Sequence, residues 1–156
     1  MISVQTQDFD IGALYQQLNN DQLNPHGYGA IVTFVGKVRD FNQQQHVAAM
    51  SLEHYPGMTE KSLAAIIEQA KSRWPIGEPI IIHRVGQLQP GDQIVYIGVT
   101  SAHRKAAFEA CEFLIDYLKI KAPFWKKEQT DQGLVWVDAR DTDQAAATRW
   151  QSEHNQ

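Results

Sequence analysis

The residues best suited to chemistry in this sequence are cations, and they fall in three separate stretches. Ser101-Ala102-His103-Arg104-Lys105 sets up to three positive groups in or beside the expected first turn of a long helix. The positive end of a helix dipole disfavours cations, whereas the free backbone N–H groups at that end attract anions. An anionic ligand held between those N–H groups and His103/Arg104, most simply a phosphate, reconciles the two. The alternative is that these side chains extend into solvent, or pair with Glu109 and with carboxylates elsewhere. Lys119 opens the second stretch, with Lys121, Lys126 and Lys127 just beyond it. Lys119 lies three residues after Asp116 and seven after Glu112, so the three share a helix face. Taken alone, that spacing fits a solvated stripe with i,i+3 pairing. Lys126 and Lys127 alternate across an expected strand, so only one of them faces a given pocket. A pocket between Phe124, Trp125 and the helix has partly apolar walls, which lower a lysine pKa and make the amine a usable acid or base. The third stretch, Gly36-Lys37-Val38-Arg39, directly follows an expected strand. Its glycine lets the backbone approach a ligand closely, and Arg39 offers a planar fork for phosphate or carboxylate. A plain exposed turn is the competing reading of that stretch.

Other chemistries find little support. The six histidines, His26, His46, His54, His83, His103 and His154, have no His-x-x-x-His spacing and no cysteine partner, so no metal site is expected. His54 and His83 lie in or beside strands and read as satisfied core or edge residues. The single cysteine, Cys111, rules out an intrachain disulfide. It shares a helix face with Ala107, Leu114 and Leu118 and reads as a small core hydrophobe rather than a nucleophile. No P-loop, Gly-x-Ser-x-Gly or Gly-x-Gly-x-x-Gly occurs. The net charge of −4, from 14 Lys+Arg against 18 Asp+Glu, argues against a nucleic-acid coat or a membrane-surface protein. No stretch reaches the roughly 18–20 apolar residues of a membrane span. Met1 to Gln5 has no basic lead-in to an apolar run, so no signal peptide is expected, and a reducing, cytoplasmic setting fits.

The elements that must position these cations follow from periodicity and breakers. The length, 156 residues with 43% hydrophobic, suits one domain over 1–156. Strands are expected at 2–4, 30–35, 47–54, 79–85 and 93–100, with 37–45 an exposed loop. Asp10 caps a helix to about Leu18. Thr59 caps a second to about Trp74, whose apolar residues Leu63, Ile66, Ile67 and Ala70 recur at helical spacing. A third runs from about His103 to Lys121, and Pro123 marks its end. A hairpin over 124–137 turns at Asp131-Gln132-Gly133. The tail from Asp138 is polar and expected to be irregular or weakly helical. From residue 47 the order is strand, helix, strand, strand, helix, strand. This is a ferredoxin-like βαββαβ arrangement, in which two helices cover one face of an antiparallel or mixed sheet. Such domains often bind RNA, but Gly29 to Gly36 lacks the basic-Gly-aromatic pattern of that class.

Several stretches, taken in order, resemble the large, catalytic subunit family of molybdopterin synthase. They are Gly29 to Arg39, Leu52-Glu53-His54-Tyr55-Pro56-Gly57-Met58-Thr59-Glu60-Lys61, and Ile82-His83-Arg84-Val85-Gly86 with Pro90-Gly91-Asp92. They continue with Val99-Thr100-Ser101-Ala102-His103-Arg104, then Asp116-Tyr117-Leu118-Lys119 through Pro123 to Glu128. The match covers roughly residues 28 to 150, without departure at the functional positions. The resemblance implies an α+β fold, a two-layer α/β hammerhead with an added β-subdomain. It implies a homodimer within a heterotetramer, each copy binding a small ubiquitin-like sulfur-carrier subunit, with no cofactor. The implied reaction moves two sulfurs from the carrier's C-terminal thiocarboxylate onto cyclic pyranopterin monophosphate, forming the molybdopterin dithiolene. By motif position, Lys119 and Lys126 fall at the catalytic lysines. Lys37, Val38, Arg39, His103, Arg104, Lys127 and Glu128 fall where the family binds pterin substrate, and Arg140 is a further candidate. The competing expectation is a non-catalytic ferredoxin-like domain that binds a small anion.

Overall fold

In a computed structural model, residues 1–21, 27–39, 41–42, 45–130, 133–137 and 141–153 are described. The chain runs β1 (Ile2–Gln5), α1 (Ile11–Asn19), β2 (Ala30–Lys37), β3 (Phe41–Asn42), β4 (Gln45–His54), α2 (Met58–Arg73) and β5 (Ile80–Arg84). It continues with β6 (Gly86–Leu88), β7 (Gln93–Ser101), α3 (Arg104–Lys121), β8 (Phe124–Thr130), β9 (Gly133–Val137) and α4 (Asp141–Glu153). The strands divide into two sheets. One has the order β1-β5-β7-β2, with β1 parallel to β5 and the other pairs antiparallel. The other has the order β3-β4-β8-β9, with β6 also beside β4.

The uninterrupted isoleucines of β5 are explained by cover on both faces of the first sheet. Ile81 packs with Val95, Ile97 and Val99 against Leu63, Ile66 and Ile67 of α2 and Ala110, Phe113 and Leu114 of α3. Ile80, Ile82 and Tyr96 pack on the opposite side against Leu14 and Leu18 of α1. The two helices expected on one face are therefore present, and α1 adds cover to the other. The fold is α+β, layered helix on sheet, with a second β unit beside it. The βαββαβ order is kept, but its strands are distributed over both sheets: β5 and β7 in the first, β4 and β8 paired in the second. The switch occurs at Gly86, whose φ of 85° turns the chain out of β5 into β6.

Three local expectations change. Asp10 does cap α1, accepting the Ala13 N–H at 3.1 Å, but Thr59 does not cap α2. Gly57 occupies that position, and the Glu60 carboxylate accepts its N–H at 2.6 Å. Thr59 is the second residue of α2 and is buried, donating its hydroxyl to the Tyr55 carbonyl at 2.9 Å. The expected 37–45 loop is shortened by β3 and by the early start of β4. The tail forms a helix, α4, that joins the core through Ala147 and Trp150. The Trp150 ring meets Trp74 and Phe113 edge-on at 5.5 and 5.7 Å, and its indole N–H donates to Asp116 at 2.7 Å. One alanine and one tryptophan make too sparse an apolar stripe to be read as a buried helix. Among the described residues, no helix is long and apolar enough to cross a membrane.

Candidate active site

Strand register fixes where each cation stretch lies. Antiparallel β2 and β7 pair from Ala30↔Ser101 at one end of the sheet to Lys37↔Gln93 at the other. Lys37, Val38 and Arg39 leave the second end, whereas His103 and Arg104 follow directly after the first. Eight residues of strand separate the two ends by about 25 Å. Helix α3 returns along β7 and β2 for 18 residues, about 27 Å. Its C-terminus is anchored at the Lys37 end, because Phe124 stacks on His83, His83 pairs with Val95, and Val95 pairs with Gly36.

Lys119, Lys37, Arg39 and the start of β8 therefore share one end of the sheet. Along β8, Lys126, Lys127 and Glu128 pair in register with Leu52, Ser51 and Met50 of β4. His103 and Arg104 lie at the far end, so one chain alone does not bring all the candidate cations together. The helix that links the two groups is a rigid rod and holds them apart. Arg140 lies outside the described residues.

The backbone explains how the near end is built. Val38 donates its N–H to the Asp92 carbonyl at 2.9 Å and accepts from the Gly91 N–H at 2.8 Å. Its side chain is buried with Met50 and Leu88. Val38 is thus an anchor that presents Lys37 and Arg39 on either side of it, both exposed. Its side chain faces the core, so any part Val38 has in the substrate-binding set is through the segment it anchors. On α3, the carboxylates that share a face with Lys119 are engaged by α4. Arg149 lies 2.9 Å from Glu112 and 3.8 Å from Asp116, which also accepts from Trp150.

At the far end, His103 is the N-cap of α3 and makes no side-chain capping bond, and the first turn carries no acidic residue. His103 and Arg104 are exposed. Glu109 is occupied by Lys105 at 3.8 Å and by the Trp74 indole N–H at 2.9 Å. An uncapped helix start flanked by cations is an environment that favours an anion. Cys111 is buried, and burial pushes its thiol up to about 12. It remains protonated at neutral pH, unsuited to sulfur chemistry. A separate cavity of about 370 Å³, lined among others by Leu18, Tyr28, Gly77 and Thr100, contains none of these candidates.

Two features escaped sequence reasoning. Phe34, on β2 at the edge of its sheet among the described residues, and Phe108 on α3 are 37% and 62% exposed. His83 is buried and hydrogen-bonded, as a core histidine is expected to be, but its stack on Phe124 at the end of α3 is not visible in the sequence. Only the geometry reveals either.

The MoaE protein family matches residues 4–121 of the chain. The chain belongs to the MoaE family. The molybdopterin synthase catalytic subunit of Escherichia coli K12 is 54% identical over 149 residues, covering 96% of this chain and 97% of that protein. The MoaE protein of Burkholderia ambifaria MC40-6 superimposes with a TM-score of 0.79 at 52% identity, covering 96% of this chain and 97% of the other. A Helicobacter pylori complex of subunits 1 and 2 of molybdopterin-converting factor shares the fold, with a TM-score of 0.71 at 20% identity over 89% of this chain and 91% of that one. The MoaE match takes in Lys37, Arg39, His103, Arg104 and Lys119 and stops before β8, which the longer E. coli alignment makes room for.

Proposed function

We propose that this MoaE-family chain is the catalytic subunit of molybdopterin synthase. It moves sulfur from the C-terminal thiocarboxylate of a small ubiquitin-like carrier to cyclic pyranopterin monophosphate in the cytoplasm. The observation that carries the reading is the gathering of Lys119, Lys37, Arg39 and the Lys126 strand at one end of the sheet, in a chain 54% identical to a named catalytic subunit. A thiocarboxylate and a phosphorylated pterin are both anionic, and a set of oriented cations lowers the cost of bringing them together. The acyl sulfur displaces an oxygen substituent on the pterin side chain to give a thioester with the carrier. Water then cleaves the acyl C–S bond, leaving sulfur on the pterin and a carboxylate on the carrier. Lys119 stabilises the negative charge that builds at the carbonyl in the second step or shuttles a proton. Lys126 assists proton transfer. Arg39 and Lys37 hold the substrate, with Lys127, Glu128 and Arg140 as further contacts.

His103 and Arg104 enter the same site from a second copy of the chain. Their distance of about 25 Å from Lys37 within one chain is too long for one small substrate to span. Among the described residues β2 is an edge of its sheet, and Arg104, Phe108, Ile115 and Lys119 follow one another at helical spacing along one flank of α3. Two copies packed antiparallel across a two-fold through that flank set Arg104 of one copy against Lys119 of the other. The phosphate-binding helix start and the lysines then face a shared cleft. The homodimer, with a carrier on each copy, completes the heterotetramer.

Sulfur transfer by Lys119→Ala tests this reading. At saturating carrier, dithiolene formation is expected to fall on the order of 10²–10³-fold. A fully active Lys119→Ala overturns it.

A further inference from the structure

Phe124, the first residue of β8, meets two imidazoles. His83 of β5 stacks on it with ring centroids 4.0 Å apart and planes inclined by 21°. His54, its cross-strand partner on β4, lies 6.3 Å away at 38°. Both histidines are oriented by hydrogen bonds at Nδ1. His83 donates to the Arg84 carbonyl at 2.8 Å. His54 donates to the Thr59 hydroxyl at 3.1 Å, since that hydroxyl gives its own hydrogen to the Tyr55 carbonyl. His83 is only 5% exposed, so its ring plane is held by packing as well as by the hydrogen bond.

The ring they hold lies at the turn from α3 into β8. Ala122 donates its N–H to the Leu118 carbonyl at 3.3 Å, and Phe124 donates to the Ala122 carbonyl at 2.8 Å across Pro123. Lys119 stands three residues before Ala122, and Lys126 stands two after Phe124. The local hydrogen bonds shape the turn, while the His83–Phe124 stack ties it to the first sheet and the Phe124–His54 pairing ties it to the second.

We propose that His83 is a positioning residue. Through its stack on Phe124 it fixes the turn between α3 and β8, and so the placement of Lys126 relative to Lys119. This rests on the reading of Lys126 as catalytic. A flat ring locked in plane does what a mobile aliphatic side chain does not: it defines the tilt of Phe124 as well as its distance. Displacing a catalytic group by about 1 Å costs on the order of 10²-fold in rate.

The test is a cycle of His83→Ala and Lys126→Ala, read as steady-state dithiolene formation with excess thiocarboxylated carrier. His83→Leu and His83→Phe are run in parallel, and thermal unfolding is recorded for each. In the parent background, His83→Ala and His83→Leu are expected to lower kcat at least about ten-fold, with KM for the pyranopterin within about two-fold. His83→Phe, which keeps the ring, is expected to recover most of the rate. In the Lys126→Ala background the same substitutions are expected to cost less than about two-fold, because the group they position is gone. An equal loss in both backgrounds, or a folded His83→Leu with parent kcat, overturns the proposal. Full activity of Lys126→Ala alone overturns instead the catalytic reading on which it rests.

Discussion

If one catalytic cleft draws Lys119 from one copy and Arg104 from the other, two inactive variants restore each other. Lys119→Ala and Arg104→Ala homodimers each lack one group at both sites, and each is expected to lose on the order of 10²–10³ in rate. Random assembly of equal amounts makes half of the dimers mixed. Each mixed dimer has one intact site and one lacking both groups, so the preparation recovers about a quarter of parent activity per total chain. Co-expression with two affinity tags and purification on both isolates the mixed dimer, which is then expected at about half. The control pairs Lys119→Ala with Arg39→Ala. These residues lie at the same end of one chain, so no arrangement of the mixed dimer rebuilds an intact site, and no recovery is expected. Dithiolene formation at saturating carrier is the assay. Recovery in the control, or a Lys119→Ala/Arg104→Ala mixture no more active than the mean of its parents, refutes the geometry.

Three further outcomes follow from packing and ionisation. Tyr96 is 0% exposed, and its hydroxyl has no hydrogen-bond partner among the described residues. Tyr96→Phe is therefore expected to stabilise the protein by about 1–2 kcal/mol in urea unfolding at unchanged m-value; a loss of stability would show that the hydroxyl is satisfied. Trp150→Ala is expected to cost about 3–5 kcal/mol, because it empties the contact with Trp74 and Phe113 and removes the donor to Asp116. A change below about 1 kcal/mol in the same experiment would contradict the docking of α4. Cys111→Ala is expected to keep sulfur transfer across neutral pH, since burial pushes the thiol up to about 12 and leaves no thiolate to relay sulfur; a folded but inactive variant would contradict that.

Much of the fold is legible in the sequence because local and tertiary signals agree. Ile80-Ile81-Ile82 is apolar on both faces because both are covered, and the Leu63, Ile66, Ile67, Ala70 spacing matches the buried side of α2. Elements were missed where the signal is tertiary. The distribution of strands over two sheets is set by long-range pairing, and only the step from β5 to β6 is marked locally, by the positive φ at Gly86. Helix α4 is held by Trp150 in a pocket formed by distant aromatics. Thr59 looks like a cap by type, but Gly57 and Glu60 supply the start of α2 and leave Thr59 to bond inward. At the candidate site, the cations are identifiable by type and motif, but their arrangement is not. The helix expected from His103 to Lys121 already sets His103 and Lys119 a helix length apart, but spacing along the chain does not say which strand ends lie beside each. Nor does it reveal that Val38, flanked by two exposed cations, is itself a buried anchor.

The most direct measurement combines the purified chain, a thiocarboxylated ubiquitin-like carrier and cyclic pyranopterin monophosphate, and counts sulfur in the pterin product. Two sulfurs per product molecule, each matched by one carrier returned with a plain C-terminal carboxylate, is the expected result. A stable complex of chain and carrier in which the thiocarboxylate persists and the pterin gains no sulfur would contradict the assignment.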